Sequence, residues 1–168
     1  MKINVALFGL GRIGIMHAAD LNSHPSFNLK YVFDINKKIS NKTAKKYLCQ
    51  SLSNPSKAFR DKDIDLIFIA SSTPTHIPLI IRAAKSKKVI FCEKPIDLNI
   101  DKVIKCRKKI KKYNPKILLG FNRRYDPGHY SLKESLLKGK IGRLEKIIIT
   151  SRDPAPPSLK YLKASGGI

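Results

Sequence analysis

The chain has 168 residues, with 34 lysines and arginines against 12 aspartates and glutamates, so its formal net charge is +22 at pH 7. This length supports one well-packed hydrophobic core and excludes a second complete domain of ordinary size. Three cysteines without a C-x-x-C pair, and no apolar run near the roughly 20 residues that cross a bilayer, indicate a cytoplasmic protein without disulfides, a metal site or a membrane span.

The first predicted element is a strand over residues 3–8, which leads into three glycines and then into a helical pattern. In this G-x-G-x-x-G spacing, Gly9 allows a tight turn and Gly11 lets the backbone approach a pyrophosphate. Gly14 lets the helix lie close to the strand. The N–H groups and the dipole at the start of the helix favour a phosphate. The pattern predicts a dinucleotide site, and a flexible glycine turn is the alternative.

A second predicted strand, over residues 29–34, completes a β-α-β unit and ends at Asp34. An acid about 20 residues after the glycine motif accepts hydrogen bonds from the adenosine ribose and repels a 2′-phosphate, so NAD is expected instead of NADP. Lys37 and Lys38 lie close enough in sequence to weaken this preference. A helix-capping or turn acid is the alternative for Asp34.

The rest of residues 1–120 alternates helix and strand, which predicts a doubly wound parallel α/β sheet of the Rossmann type. Because the pattern over 65–70 is apolar on both faces, this strand belongs in the middle of the sheet. Helices are expected over about 37–48, 54–59, 76–86 and 100–113, and strands over 65–70, 89–92 and 117–119.

The excess of positive charge raises the question of a polyanionic partner such as nucleic acid. The lysines are scattered over almost every predicted element. Their densest cluster, residues 105–112, follows a helical pattern whose apolar residues Val103, Ile104 and Ile110 can face inward. A solvated helix face explains this cluster, so nucleic acid is not expected as a partner.

The pattern changes after residue 120, and residues 121–168 are predicted to begin an α+β substrate domain. A helix is expected over about 130–138, a turn over 139–142 and an apolar strand over 144–150. A single strand cannot bury its own face, so we expect this second domain to be incomplete and prone to association.

Ligands of an open parallel sheet bind beyond the carboxyl ends of its strands, so the residues after each strand form the candidate site. Lys94, which is followed by the rigid Pro95, is the candidate for exchanging a proton with a hydroxyl group. His76, at the start of a helix, is expected to cap, to pack or to border a nicotinamide, and is the rival for catalysis. The other candidates after the strands are Gly9, Asp34, Ser71, Ser72, Thr73, Glu93 and residues 121–124.

Several of these segments, taken together, resemble the Gfo/Idh/MocA oxidoreductases. The segments are residues 9–14, Thr73-Pro74-Thr75-His76, Glu93-Lys94-Pro95 and the sequence GFNRRYDP at 120–127. The run from GKIG at 139–142 through SRDPAPP at 151–157 to SGGI at 165–168 is similar to the inositol 2-dehydrogenase branch of this family. The resemblance covers the whole chain.

This resemblance implies oxidation of a ring hydroxyl of myo-inositol to a ketone, with NAD as the cofactor. It implies that Lys94 acts at the reacting hydroxyl after a cis bond to Pro95. Lys94, Asn122, Arg123 and Asp153 are implied to bind the polyol. The residues implied to bind NAD are Gly9, Gly11, Arg12, Ile13, Gly14, Asp34, Ser71, Ser72, Thr73, His76 and Glu93.

The family's catalytic set also includes an aspartate and a histidine for which these residues contain no counterpart. Residues 1–168 are therefore expected to bind NAD without oxidising inositol, while the full-length form is expected to be a homo-oligomer. Two alternatives stay open: a dehydrogenase of another sugar or polyol, and a non-catalytic module that binds a nucleotide or nucleic acid.

Overall fold

The computed structural model describes residues 2–152 together with residues 155, 156, 159 and 162. The chain forms two compact units, one of residues 1–120 and one of residues 121–168. Among the described residues, no helix is both long enough and apolar enough to span a bilayer.

The first unit alternates strands and helices, as the sequence predicts. Its strands are β1 (Ile3–Phe8), β2 (Phe27–Phe33), β3 (Gln50–Ser51), β4 (Leu66–Ile69), β5 (Val89–Cys92) and β6 (Ile117–Leu119). Its helices are α1 (Arg12–Ser23), α2 (Lys37–Lys46), α3 (Ser56–Arg60), α4 (His76–Lys85) and α5 (Ile100–Ile110), with 3-10 turns at Thr73–Thr75 and Lys111–Tyr113.

The six strands found in the described part of this unit pair in parallel, in the order β3-β2-β1-β4-β5-β6. This order confirms the predicted doubly wound sheet of the Rossmann type, with the predicted strand 65–70 in its interior as β4. The chain progresses in opposite directions from β1 and from β4, which creates a crevice at their carboxyl ends. The segments that follow β1 and β4 therefore flank the expected ligand position.

Two apolar clusters cover the two faces of the sheet. Alternate residues of β1 divide between them, because successive side chains of a strand point to opposite faces: Ala6 and Phe8 join one cluster, and Val5 and Leu7 join the other. The first cluster contains buried residues of α3, α4 and α5, and the second contains buried residues of α1 and α2. The sheet is therefore held rigidly between two helical layers.

Two details of this unit differ from the sequence prediction. The short strand β3 was not predicted, since two residues are too few to show an alternating pattern. The predicted helix over 100–113 ends as an α-helix at Ile110 and continues as a 3-10 turn. Asn114 then takes the left-handed conformation with φ 45°, which ends the helix.

The second unit begins with a 3-10 turn over Asn122–Tyr125, followed by α6 (Pro127–Leu137). The Asp126 carboxylate caps α6 by accepting a hydrogen bond of 3.1 Å from the His129 backbone N–H. Gly139 and Gly142 have φ values of +67° and +69° in the turn that follows.

The predicted strand over residues 144–150 is wrong, because these residues have no regular secondary structure. A strand needs a neighbour to bind its backbone N–H and C=O groups, and the described residues of this unit contain no other strand. The apolar side chains of this run are exposed, with Ile148 and Ile149 each 77% accessible.

Charged side chains hold the loop between α3 and β4. The Tyr31 hydroxyl donates a hydrogen bond of 2.7 Å to the Asp61 carboxylate, which also pairs with the Lys30 ammonium at 3.0 Å. The hydrogen bond from Tyr31 lowers the pKa of Asp61 to about 2. In addition, the Lys88 ammonium donates to the backbone carbonyls of Asp61 at 2.7 Å and Ile64 at 2.6 Å.

We expect Tyr31→Phe to lower the free energy of unfolding by about 1 kcal/mol, because Asp61 loses a hydrogen bond to its charged form. The folded-state pKa of Asp61 lies below its ordinary value of 3.8, so this stabilisation is complete above 3.8 and is lost as the pH falls toward about 2. Urea unfolding from neutral to acidic pH measures the difference between parent and variant. The difference should shrink once the pH passes below 3.8.

The control is Tyr47→Phe, since the Tyr47 hydroxyl has no hydrogen-bond partner among the described residues. This variant should show a smaller loss of stability that does not depend on acid. A Tyr31→Phe effect of the same size at every pH would contradict the role given to Asp61.

Candidate functional site

The glycine motif links β1 to α1 with almost no space around two of its glycines. Gly9 has φ +91°, and a Cβ atom at this position would collide with the backbone of Ser71, which follows β4. Gly14 is buried on α1, and a Cβ atom there would collide with the Gly9 carbonyl. Both positions therefore need glycine if β1, α1 and the end of β4 are to meet at this distance.

Gly11 differs from these two glycines, because a Cβ atom at this position would meet no atom within 4 Å. It is the N-cap of α1, and no side chain in the described part of the chain binds the free N–H groups of the first helical turn. No acidic residue lies in that turn, where Arg12 and Ile13 are exposed. The open space, the free N–H groups and the helix dipole together suit an anion such as a pyrophosphate.

Asp34 follows β2 and binds the glycine loop directly. Its Oδ2 accepts a hydrogen bond of 2.7 Å from the Leu10 backbone N–H, and its Oδ1 accepts one of 2.8 Å from Asn36. The helix-cap alternative for Asp34 is wrong, because Asn36 caps α2. The turn alternative agrees with the hydrogen bond that Asp34 Oδ1 accepts from Asn36. A carboxylate has about four acceptor positions, so two backbone bonds leave capacity for ribose hydroxyls.

The two lysines near Asp34 differ in their surroundings. The Lys37 ammonium donates to the backbone carbonyls of Leu52 at 3.0 Å and Ser53 at 3.2 Å. It also lies 5.2 Å from the centre of the Phe33 ring. Both lysines are exposed, but the Lys37 ammonium is held by these carbonyls, whereas the Lys38 ammonium has no such contact among the described residues.

The segment after β4 carries hydroxyl groups along the same edge of the sheet. The Thr75 hydroxyl donates to the Ser72 carbonyl at 2.7 Å, so the Ser71 hydroxyl is the donor in the 2.6 Å contact between Ser71 Oγ and Thr75 Oγ1. Ser72 is exposed and Thr73 is half-buried. These contacts shape the turn over Thr73–Thr75 that leads into α4.

His76 is buried, with 1% of its surface accessible. Its Nδ1 lies 2.8 Å from the Pro95 carbonyl oxygen, and its Nε2 lies 2.8 Å from the Ser71 carbonyl oxygen. Carbonyl oxygens only accept hydrogen bonds, and a neutral imidazole has a single N–H, so the tautomer decides which of the two carbonyls receives the hydrogen bond. His76 therefore joins the segment after β4 to the segment after β5.

Glu93 and Lys94 follow β5. Glu93 Oε1 lies 2.8 Å from Nε2 of His17 on α1, and Glu93 Oε2 accepts a hydrogen bond of 3.2 Å from the Lys94 backbone N–H. A Cβ atom at Gly120 would come within 3.0 Å of this carboxylate. The Lys94 side chain is exposed and has no partner among the described residues. The bond from Lys94 to Pro95 is cis, as predicted.

His17 is the residue of this region that the sequence analysis missed. The signal that could have identified it is its position on α1, one helical turn after Gly14, since residues i and i+3 share a helix face. Its partner Glu93 is far away in sequence, so the sequence alone does not reveal the pair.

The second unit contains two of the predicted substrate residues, Asn122 and Arg123, both exposed on its 3-10 turn. Arg123 lines a concave surface of this unit with Arg124, Tyr125, His129, Tyr130 and Lys133. Asp153 lies outside the described residues. Within the described residues, no group of three or more histidine, cysteine or acidic side chains is arranged to hold a metal ion.

We expect Gly11→Ala and Gly14→Ala to have different effects. Gly11 has φ −67°, which alanine adopts readily, so Gly11→Ala should fold normally but bind NADH at least about tenfold more weakly. Gly14→Ala should lower the melting temperature, because its methyl group collides with the Gly9 carbonyl. Calorimetric titration with NADH and thermal unfolding followed by circular dichroism separate these two effects. Equal losses of stability in both variants would contradict the assigned roles.

Comparison with known proteins agrees with this geometry. The model of an oxidoreductase family with an NAD-binding Rossmann fold, the Gfo/Idh/MocA family, matches residues 3–121. Myo-inositol 2-dehydrogenase of Thermotoga maritima is 38% identical over 167 residues, which are 99% of this chain and 50% of that protein.

Two crystal structures are also similar. The myo-inositol dehydrogenase of Corynebacterium glutamicum has a TM-score of 0.93 and 40% identity, covering 99% of this chain and 50% of its own. The scyllo-inositol dehydrogenase of Lactobacillus casei, solved with NAD(H) and scyllo-inositol, has a TM-score of 0.79 and 28% identity, covering 84% of this chain and 43% of its own.

The chain thus spans about half the length of the relatives that it matches. The family model covers the glycine motif, Asp34 and the segment from Glu93 to Pro95, so the matched region contains the candidate nucleotide site. The chain belongs to the Gfo/Idh/MocA family of oxidoreductases and contains that family's NAD-binding Rossmann fold.

Proposed function

We propose that these residues form the cofactor-binding and hydride-transferring half of an NAD-dependent inositol 2-dehydrogenase. The observation that carries this proposal is the exposed Lys94 ammonium at the carboxyl edge of the sheet, the same edge that holds the glycine loop and Asp34. The relatives named for inositol oxidation and the Lactobacillus casei complex with NAD(H) and scyllo-inositol support it.

The residues present fit a dinucleotide. The free N–H groups at the start of α1 would bind the pyrophosphate beside Gly11, and Arg12 and Ile13 belong to the same turn. Asp34 would bind the adenosine ribose, and Lys37 does not compete with it, because its ammonium is bound to carbonyls. The segments 71–73 and 93–94 would border the nicotinamide, and the buried His76 would join Ser71 of the first segment to Pro95 beside the second. NAD, when bound, accepts the hydride.

The reaction oxidises a secondary ring alcohol. The carbinol carbon gives a hydride to NAD, the hydroxyl oxygen loses its proton, and the products are a ketone, NADH and a proton. Lys94 would hydrogen-bond to the reacting oxygen and take part in removing its proton. Asn122, Arg123 and Asp153 are proposed to bind the other ring hydroxyls.

Nucleic acid is not part of this proposal. Several lysines that contribute to the positive charge bind carbonyls or carboxylates of the fold, namely Lys30, Lys37 and Lys88. The full-length form is proposed to be a homo-oligomer in the cytoplasm. The free thiols of Cys49, Cys92 and Cys106 support the cytoplasmic location.

A chimaera tests the proposed function. Residues 1–168 would replace the matching half of the Corynebacterium glutamicum enzyme, whose fold they share at a TM-score of 0.93. We expect the chimaera to form NADH from NAD and myo-inositol, and Lys94→Ala to lower kcat by about 100-fold or more. Residues 1–168 alone should bind NADH without this turnover, because the relatives are about twice as long.

Scyllo-inositol and glucose serve as competing substrates for the chimaera, and a preference for glucose would favour the alternative sugar dehydrogenase. A folded chimaera that binds NADH but oxidises no inositol would contradict the proposal. Equal kcat values with and without Lys94 would remove Lys94 from the reaction.

We also expect Asp34→Arg to shift the preference from NAD toward NADP. The carboxylate repels a 2′-phosphate, whereas an arginine at this position attracts it. Calorimetry with NADH and NADPH on residues 1–168 should show tighter binding of NADH by the parent and a preference reduced or reversed by about 1.4 kcal/mol or more, a tenfold change in Kd, in the variant. Equal affinities in the parent would contradict the role of Asp34. Lys42→Arg, on the exposed side of α2, controls for the added guanidinium group.

A further inference from the structure

The backbone on both sides of Lys94 is tied to a histidine from a different helix. Glu93, the preceding residue, contacts His17 of α1, and Pro95, the following residue, contacts His76 at the start of α4. The Lys94 side chain itself has no partner in the described part of the chain. The position of the Lys94 backbone at the edge of the sheet is therefore determined by its two neighbours.

The tie to Glu93 is constrained on several sides. The His17 ring packs against two aromatic rings of the sheet, with centroid distances of 4.6 Å to Phe68 and 5.7 Å to Phe91. Its Nε2 lies 2.8 Å from the Glu93 carboxylate, and 23% and 18% of the two side chains are accessible. The second carboxylate oxygen of Glu93 accepts a hydrogen bond from the Lys94 backbone N–H. The Glu93 side chain therefore links His17 to the backbone of Lys94.

The tie to Pro95 is made by a buried ring, although Pro95 itself is exposed. The His76 ring bridges the carbonyl oxygens of Pro95 and Ser71, each at 2.8 Å. Pro95 has no backbone N–H, so its carbonyl is the only backbone hydrogen-bonding group it offers. Ser71 is the residue whose backbone lies against Gly9 of the glycine loop. His76 thus connects the lysine segment to the point at which the nucleotide loop begins.

We propose that His17 and His76 are positioning residues for Lys94, an inference that rests on the proposed function in giving Lys94 a part in the reaction. Neither ring needs to touch the substrate for this role. Together they fix the residues before and after the lysine relative to α1 and to the end of β4. The backbone of Lys94, and with it the start of the side chain, is then held in one position at the edge of the sheet.

A spin label at position 94 reports on this constraint without requiring turnover. Lys94→Cys places a thiol on the exposed segment. Burial raises the pKa of the Cys49 thiol to about 11 and that of the Cys92 thiol to about 12, and it also raises the pKa of Cys106. A maleimide nitroxide at neutral pH therefore reacts first at position 94, because the thiolate is the reactive form.

The expected result is a restricted nitroxide in labelled Lys94→Cys. Adding His17→Phe or His76→Phe should shorten the rotational correlation time at least about twofold, because each substitution keeps a ring but removes the donor. His17→Gln, which keeps an N–H for Glu93, should restore most of the restriction. The matched control is His24→Phe, which replaces an exposed histidine after α1 and should change nothing.

The folding of each variant is checked by circular dichroism, and His76→Leu, which also lacks a donor, replaces His76→Phe if that variant does not fold. Spectra of folded His17→Phe and of the folded His76 variant without a donor that match the parent would overturn the positioning role. An unrestricted label in the parent would also overturn it.

NADH calorimetry on the unlabelled parent is independent of this outcome. Failure to bind NADH would count against the proposed function even if the label is restricted. Restored restriction in His17→Gln would not follow if the ring served only to fill space.

Discussion

The close approach of three backbone segments, at Gly9, Gly14 and Ser71, is the constraint on which the rest of the site depends. No side chain fits between them, so the end of β1, the start of α1 and the end of β4 meet as bare backbone. This contact brings the first helical turn to the switch point of the sheet, where the strand order reverses. The free N–H groups at the start of α1 therefore lie at this crevice because neither glycine carries a side chain.

Around this contact, single polar bridges connect loops that are distant in sequence. Asp34 joins the end of β2 to the glycine loop, and His76 joins the end of β4 to Pro95. His17 joins α1 to Glu93. In each bridge, a side chain of one segment contacts the backbone or a side chain of another. The segments after β1, β2, β4 and β5 are therefore connected to one another along this edge of the sheet. A displacement of one segment is resisted by its neighbours.

Much of this arrangement was predictable from local sequence patterns. The glycine spacing, the acid after β2 and the alternation of strand and helix are local features, and they identified the fold, the strand bounds of β1, β5 and β6, and the candidate site. Contacts between distant residues were not predictable in this way. The pair of His17 with Glu93 and the two carbonyls bound by His76 arise only from packing. The strand expected over 144–150 is absent for a related reason, since an apolar run shows that a segment could pair in a sheet but not that a neighbouring strand is present.

Lys88 is one of many lysines in the chain, yet it has a specific structural role. Its ammonium closes the loop after α3 by binding carbonyl oxygens of Asp61 and Ile64, groups that would otherwise need water. A compact ammonium with three donors fits among converging carbonyls, whereas the flat guanidinium of arginine has a different donor geometry. In a chain so rich in lysine, a lysine such as Lys88 is therefore part of the folded framework, and arginine would not reproduce its contacts.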